Sequence, residues 1–363
     1  MSQPAIKVML VDDSALVRQC FTEIFKLADD IALIDVAPDP YIAAQKMRKR
    51  APDVLLLDVE MPRMDGLTFL RKLMEQHPLP VVICSTLVGD GSDSRIRALE
   101  AGAVDIIVKP TVALKEFVSA EHEHIFDIIR AAAQANVRQL SKKKATKQKL
   151  SADAVVSRGQ THKAMAETTE KIILIGASTG GTEAVRSVLE SMPLDCPGIA
   201  VVQHMPEGFT RSFANRLNQI CRITVKEASD NESIIKGHAY IAPGNQHMLI
   251  KRSGARYFIS LKEGPPVSRH RPSVDVLMRS AANVAGSNCA AVILTGMGDD
   301  GAKGLLELRE AGGKTYSQNE ATCVVYGMPR AAHELGASLS ELPLEKVAST
   351  LLNATGYSIR SRK

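Results

Sequence analysis

The stretch LIGASTGG, Leu174 to Gly181, sets a serine among glycines after an apolar run. Gly176-Ala177-Ser178-Thr179-Gly180 fits G-x-S-x-G, whose small neighbours allow a sharp strand-to-helix turn and leave the Ser178 hydroxyl exposed as a nucleophile. The same glycines, ahead of the helical run TEAVRSVLE, would suit an anion at a helix N-terminus. They lack, however, the Lys of a P-loop and the spacing of a dinucleotide fingerprint. A serine nucleophile needs a histidine base and a carboxylate to orient it. His204, in AVVQHMPEGF, ends the next strand-like run and is the leading base. His238 and His247 fall in a region spaced like hairpins and His270 in the basic loop SRHRPSVD, where surface or structural roles are expected; His333 falls in a helical run. For the acid, AVILTGMGDDGAKGL places Asp299 and Asp300 after a third apolar run, and position alone leaves the choice between them open. Either could simply cap the helix that follows, but three matching strand ends favour chemistry.

Earlier in the chain, Asp12 and Asp13 follow KVMLV, Asp58 follows DVLLL, Ser85 follows PVVIC and Lys109 follows VDIIV. In an open parallel sheet the carboxyl ends of the strands gather at one edge, so these residues should converge. Three carboxylates packed together repel unless a cation sits among them, and oxygen donors with room for water suit Mg²⁺. Lys109 would then balance added negative charge.

The elements that must position these groups are legible in the hydrophobic pattern. Up to about residue 130, five short apolar runs alternate with runs of helical periodicity, which implies a parallel α/β sheet. Residues 131–170, with RQLSKKKATKQKLSADAVVSRGQ, are polar and basic without periodicity and read as a linker. Residues 171–363 resume strand signals. The runs KIILIGAS, GIAVVQHM and CAAVILTGMG look like buried parallel strands, whereas ITVKEA, HAYIAPG, HMLIKR and ARYFISL have hairpin spacing. The fold class is therefore α/β: an N-terminal doubly wound (βα)5 domain and a C-terminal α/β domain with a mostly parallel sheet and a small antiparallel excursion. A length of 363 residues accommodates two or three domains, and a net charge of +5 names no partner. Six cysteines without a CxxC pair imply thiols in a reducing compartment. With no signal peptide and no apolar run near the ~20 residues of a membrane span, a cytoplasmic protein without membrane insertion is expected.

LVDDSALVR, LLLDVEMPRMDGL, VVICST and DIIVKP resemble the receiver domain of two-component response regulators, over about Lys7 to Phe126. The resemblance implies that Asp58 accepts a phosphoryl group from a histidine kinase and that Asp12, Asp13, Asp58 and the backbone carbonyl of Glu60 hold Mg²⁺. It also implies that Ser85 and Lys109 contact the phosphoryl oxygens, and that the bond from Lys109 to Pro110 is cis. From about Lys171 to Leu352, IGASTGGTEA, QHMPEGFTRSFANRL, HAYIAPGNQHM, GPPVSRHRPSVDVL, VILTGMGDDGAKGL and QNEATCVVYGMPRAA resemble the catalytic domain of the chemotaxis protein-glutamate methylesterases, the CheB family.

That second resemblance assigns Ser178 as nucleophile, His204 as base and then acid, and Asp300 in preference to Asp299 as the orienting carboxylate. Backbone N–H groups at Thr179 and Met297 are candidates for the oxyanion hole. The implied substrates are glutamate γ-methyl esters of methyl-accepting chemotaxis receptors, with methanol leaving, and receptor glutamines, with ammonia leaving; the implied phosphodonor is the chemotaxis histidine kinase. The esterase chemistry needs no cofactor. In that family the unphosphorylated receiver covers the catalytic edge and phosphorylation relieves the block. The chain order Ser, His, Asp departs from the Ser, Asp, His of α/β-hydrolases. The linker is expected to be a solvated spacer, with a docking segment as the alternative. Two other classes are weighed: a regulator whose second domain only binds a partner, and a nucleotide-dependent enzyme using GASTGG. No helix-turn-helix signal supports nucleic-acid binding.

Overall fold

Continuous apolar runs become strands covered on both faces. The computed structural model describes residues 5–61, 65–85, 92–109, 114–137 and 170–357. The first domain runs β1 (Ile6–Val11), α1 (Ala15–Phe25), β2 (Ile31–Ala37), α2 (Pro40–Lys49), β3 (Val54–Asp58), α3 (Gly66–Gln76), β4 (Val81–Ser85), α4 (Ser92–Glu100), β5 (Asp105–Val108) and α5 (Leu114–Ala133). Every residue of β3 and β4 is buried, as a central parallel strand between helix layers requires. The strand order is β2-β1-β3-β4-β5, all parallel. Its order reverses between β1 and β3, the crevice where open α/β sheets bind ligands. Most of the expected linker, residues 138–169, lies outside the described residues, as does Pro110.

The second domain runs β6 (Ile172–Ala177), α6 (Gly181–Glu190), β7 (Gly198–Gln203), α7 (Phe209–Ile220), β8 (Thr224–Glu227), β9 (His238–Ile241), β10 (His247–Ser253), β11 (Arg256–Lys262), α8 (Val274–Val284), β12 (Cys289–Ile293), α9 (Ala302–Glu310), β13 (Lys314–Gln318), α10 (Met328–Glu334), β14 (Ser340–Leu342) and α11 (Leu344–Ala354). A seven-stranded sheet has the order β14-β13-β12-β6-β7-β9-β8, with every pairing parallel. β6, first in the chain, lies centrally, with β7 on one side and β12 on the other, so the ends of these three strands meet.

One detail differs from the sequence reading. The spacing of ITVKEA and HAYIAPG suggested a hairpin, yet β8 and β9 are parallel neighbours in the main sheet. The segment between them is long enough to cross over, and it does so by bonding to β11, through Ile234 N–H to Tyr257 O and Ile259 N–H to Glu232 O. Only β10 and β11 form an antiparallel pair. That hairpin packs on α8, where Ser280 Oγ accepts the Ile250 N–H at 2.8 Å.

The first domain rests on the second. Ile96 and Leu99 of α4 line an apolar seam with Phe213, Leu217 and Ile220 of α7. Arg216 adds a two-pronged contact to Glu100 at 2.7 and 3.3 Å. Among the described residues, no helix is long and apolar enough to cross a membrane.

Candidate functional site

Strand register brings the candidate nucleophile and base together. Ala177, the last residue of β6, pairs with Gln203, the last of β7, and the His204 N–H bonds Ala177 O at 3.0 Å. Ser178 and His204 therefore face each other one step beyond the paired ends. The Gln203 side chain clamps both, donating from Nε2 to Ser178 O at 2.9 Å and to His204 O at 3.1 Å. On the other side, Ser178 N–H bonds Thr295 O at 3.0 Å just past β12. The approach is so close that a Cβ on Gly296 would lie 2.7 Å from Ser178 Cβ, which is why that position is glycine. Gly180, with φ 75°, makes the left-handed step into α6, and a Cβ there would meet Val324 at 2.5 Å.

Asp300 completes the line. Its Oδ2 lies 2.8 Å from His204 Nε2, whereas Asp299 is exposed. With Nε2 committed to Asp300, Nδ1 is the ring nitrogen left for proton exchange; it is buried and makes no hydrogen bond. The Asp300 carboxylate sits on the N-terminus of α8, accepting from Val274 N–H at 2.7 Å, Asp275 N–H at 3.1 Å and Ser273 Oγ at 2.8 Å. Burial opposes its charge, but the hydrogen bond from His204 and those from α8 outweigh it and hold the carboxyl below its ordinary value.

His270 is the largest departure from the sequence reading. Expected on the surface or in a structural role, it stacks on His204 with ring centroids 3.7 Å apart and planes 14° apart. Burial, and then the neighbouring His204, push its pKa down to about 3, so it covers the base as a neutral ring. His247 is structural: its Nδ1 accepts Ser273 N–H at 3.3 Å and its Nε2 donates to Pro265 O at 3.0 Å, bracing the start of α8. His238 begins β9 and His333 lies in α10. Gln203 and Ser273 have no role in the sequence reading, and the surface or structural roles read for His247 and His270 do not bring them to this site, because nothing in their local runs says that they meet. The SRHRPSVD run, holding both His270 and Ser273, was the available signal.

The backbone N–H groups of Thr179 and Met297 make no hydrogen bond among the described residues and are free to take one from a bound oxyanion. Receiver residues sit on the same loop. Asp105 Oδ2 accepts from Thr179 Oγ1 at 2.8 Å, and Val104 O accepts from Gly180 N–H at 3.3 Å.

In the receiver, Val11 and Leu57 are register partners, so Asp12 and Asp58 come together one step further on. One ligand oxygen each from Asp12, Asp13 and Asp58 falls within a 4.8 Å group; Asp12 and Asp58 are buried and Asp13 is exposed. Lys109 Nζ lies 2.8 Å from Asp12 Oδ2 and 2.6 Å from Asp58 Oδ2. Of those two oxygens, the buried one on Asp12 still accepts no well-formed hydrogen bond. Burial pushes the Asp58 pKa up to about 6 against the pull of Lys109 and the Glu60 N–H, which bonds Oδ1 at 3.0 Å. An under-satisfied, all-oxygen, partly open cluster of this kind fits a hard divalent cation. Ser85, buried at the end of β4, accepts the Lys109 N–H on its carbonyl at 2.7 Å.

Fold and site together describe a receiver joined to an α/β domain that carries a serine-hydrolase constellation. Family models match the same two halves: Response regulator receiver domain over residues 8–121 and CheB methylesterase over residues 173–351. The chain is 55% identical to protein-glutamate methylesterase/protein-glutamine glutaminase 3 of Geobacter metallireducens, covering 97% of this chain and 99% of that one. It is also 55% identical to the corresponding protein 2 of Oleidesulfovibrio alaskensis, over 96% of this chain and 98% of that one. The solved catalytic domain of Thermotoga maritima CheB methylesterase matches with a TM-score of 0.50 at 40% identity, covering 51% of this chain and 98% of that domain. The chain belongs to the CheB family of protein-glutamate methylesterases/protein-glutamine glutaminases with a receiver domain.

Proposed function

We propose that this chain hydrolyses glutamate γ-methyl esters on methyl-accepting chemotaxis receptors, and deamidates certain receptor glutamines, under control of a phosphoryl group that Asp58 accepts from the chemotaxis histidine kinase. The observation that carries this reading is the bond of Asp300 to His204, 2.8 Å long, with Ser178 across the paired ends of β6 and β7. Ser178 Oγ attacks the γ-carbonyl carbon while His204 Nδ1 takes the hydroxyl proton. Asp300 holds the ring and offsets the imidazolium charge. The N–H groups of Thr179 and Met297 are the donors to the oxyanion, each worth about 3 kcal/mol in comparable sites. His204 then hands its proton to the departing methoxide, and methanol leaves an acyl-Ser178. A water, deprotonated by His204, attacks the acyl carbon, and Ser178 recovers its proton as glutamate is released. With glutamine the same steps release ammonia.

In the receiver, Asp12, Asp13, Asp58 and the carbonyl of Glu60 would hold Mg²⁺, which neutralises charge on the phosphoryl oxygens. Lys109 and Ser85 contact those oxygens once Asp58 is modified. β5 links the two centres, since Lys109 follows its end and Asp105, bonded to Thr179, begins it. While the receiver is docked, the nucleophile loop is gripped and the ester has no access; modification of Asp58 shifts Lys109 and loosens the grip. Methanol release from methyl-labelled receptor membranes tests this, comparing the intact chain with Ser178→Ala, each with and without a small phosphodonor and Mg²⁺. Donor-stimulated release that the variant lacks is expected; release persisting in Ser178→Ala would overturn the nucleophile assignment.

A further inference from the structure

The basic loop SRHRPSVD contributes His270 and Ser273 to the site described above, but its Arg269 has no part in the mechanism. Ser268 and Arg269 take φ values of 51° and 67°, the left-handed region that side-chain-bearing residues enter at a cost. They form the tip of a two-residue turn closed by Val267 N–H to His270 O at 3.0 Å and His270 N–H to Val267 O at 2.9 Å. Turn chemistry alone would place Asn or Gly there, so an arginine at the tip asks for another reason. Such residues held in unfavourable backbone regions cluster where proteins bind and react.

Arg269 precedes the ring stacked on His204, and its side chain is 77% exposed. Among the described residues its one ion pair is with the receiver: Nη1 lies 2.9 Å from Asp127 Oδ2 on α5. Nothing described in its own domain holds the guanidinium. Arg271 differs, since it is tied to Asn245 Oδ1 and Gly264 O. The acid is not so dependent: Asp127 also accepts from Arg130, at 3.2 Å. When the receiver leaves, Asp127 keeps a partner and Arg269 stands bare beside the triad.

We propose that Arg269 binds a carboxylate of the substrate protein next to the reacting ester, and that Asp127 occupies the same guanidinium while the receiver is docked. This rests on the esterase reading. The reacting ester is neutral, but each turnover turns one into a carboxylate, so a segment with more than one reacting glutamate becomes acidic beside the next ester. A guanidinium recognises a carboxylate through parallel N–H donors, and Asp127 presents that group from a helix. Because the two carboxylates exclude each other, substrate binding and receiver docking oppose each other through one side chain, and by linkage each weakens the other.

The test uses the full chain with Mg²⁺, with and without phosphodonor, and receptor membranes methylated at one site, with flanking acidic residues kept or replaced by alanine. Methanol release is measured against receptor concentration for wild type, Arg269→Ala, Arg269→Lys and Asp127→Ala. Arg269→Ala should raise KM on the acidic receptor about fivefold with kcat within about twofold, the size of a partly exposed ion pair. It should change little on the alanine-flanked receptor, and Arg269→Lys should fall between. Asp127→Ala should raise the donor-free rate without raising KM. If Arg269→Ala matches Asp127→Ala in both respects, Arg269 merely clasps the receiver and the proposal fails. An equal KM increase on both receptors also overturns it. Failure of the esterase reading looks different, because wild type would then release no methanol from either receptor.

Discussion

Both halves of the chain gather carboxylates where parallel strands end, but they treat the charge in opposite ways. Asp300 is saturated: His204, two N–H groups of α8 and the Ser273 hydroxyl hold it below the ordinary carboxylate range. Asp58 has Lys109 and one N–H, and burial lifts it to about 6. The carboxylate proposed to stay a constant negative charge through a catalytic cycle is fully supplied with donors. One proposed to gain a cation and then a phosphoryl group is left with fewer of them. The same kind of sheet edge thus suits a rigid electrostatic element in one domain and a modifiable one in the other.

The comparison is broken most severely on the catalytic side. Ser178→Ala and Asp300→Asn should each cost about 10⁴-fold or more in turnover, measured as methanol release. Asp300→Asn should also destabilise the chain by about 1–2 kcal/mol by uncharging the α8 terminus, read from denaturant midpoints. Gly296→Ala forces a methyl against Ser178 Cβ and Met328 Sδ and should lower kcat about 10- to 100-fold in the same assay, with about 1–3 kcal/mol of lost stability.

On the receiver side the effects are regulatory and smaller. Asp58→Asn should leave donor-free hydrolysis unchanged and remove stimulation by a small phosphodonor; persistence of that stimulation would remove the acceptor role. The two acids also differ in their pH signatures. Asp58 has its folded pKa raised from 3.8 to about 6, so the folded chain binds more protons than the unfolded one between these values. Stability should then fall as pH rises through that window and level off above it. Asp300, lowered, contributes stability above the ordinary carboxylate value that is lost as pH falls below it. Thermal midpoints in chelator should show the decline between about pH 4 and pH 6 in wild type and lose it in Asp58→Asn. Smallest of all, Asp105→Asn should loosen the grip on Thr179 and raise the donor-free rate a few-fold, about the worth of one hydrogen bond. An unchanged rate would place the inhibitory contact elsewhere on the interface.

Much of the fold and of both sites is legible in the sequence alone. The acids that follow β1 and close β3, the lysine after β5, and Ser178, His204 and Asp300 after three apolar runs are local features: a strand's burial and its end are written in the strand itself. The alternation of strands and helices is equally visible, and with it the rule that such ends share an edge.

The features that cannot be read this way join residues far apart in the chain. His270 belongs to the site because a two-residue turn folds it back onto a ring 66 positions earlier (270 − 204). Asp300 rather than Asp299 has its charge supplied because α8, closed by the Ser273 cap, brings its N-terminus against β12's loop. β8 and β9 lie parallel because their connection is committed to β11, which strand composition does not encode. The sequence by itself determined which side chains could react and the strand ends that carry them, because hydrophobic period and residue type are properties of a short window. Only the tertiary structure decided which donors charge each carboxylate, which ring covers the base and which receiver residues hold the nucleophile loop. Those depend on packing between segments, whose partners are chosen by burial and hydrogen-bond satisfaction across the whole fold.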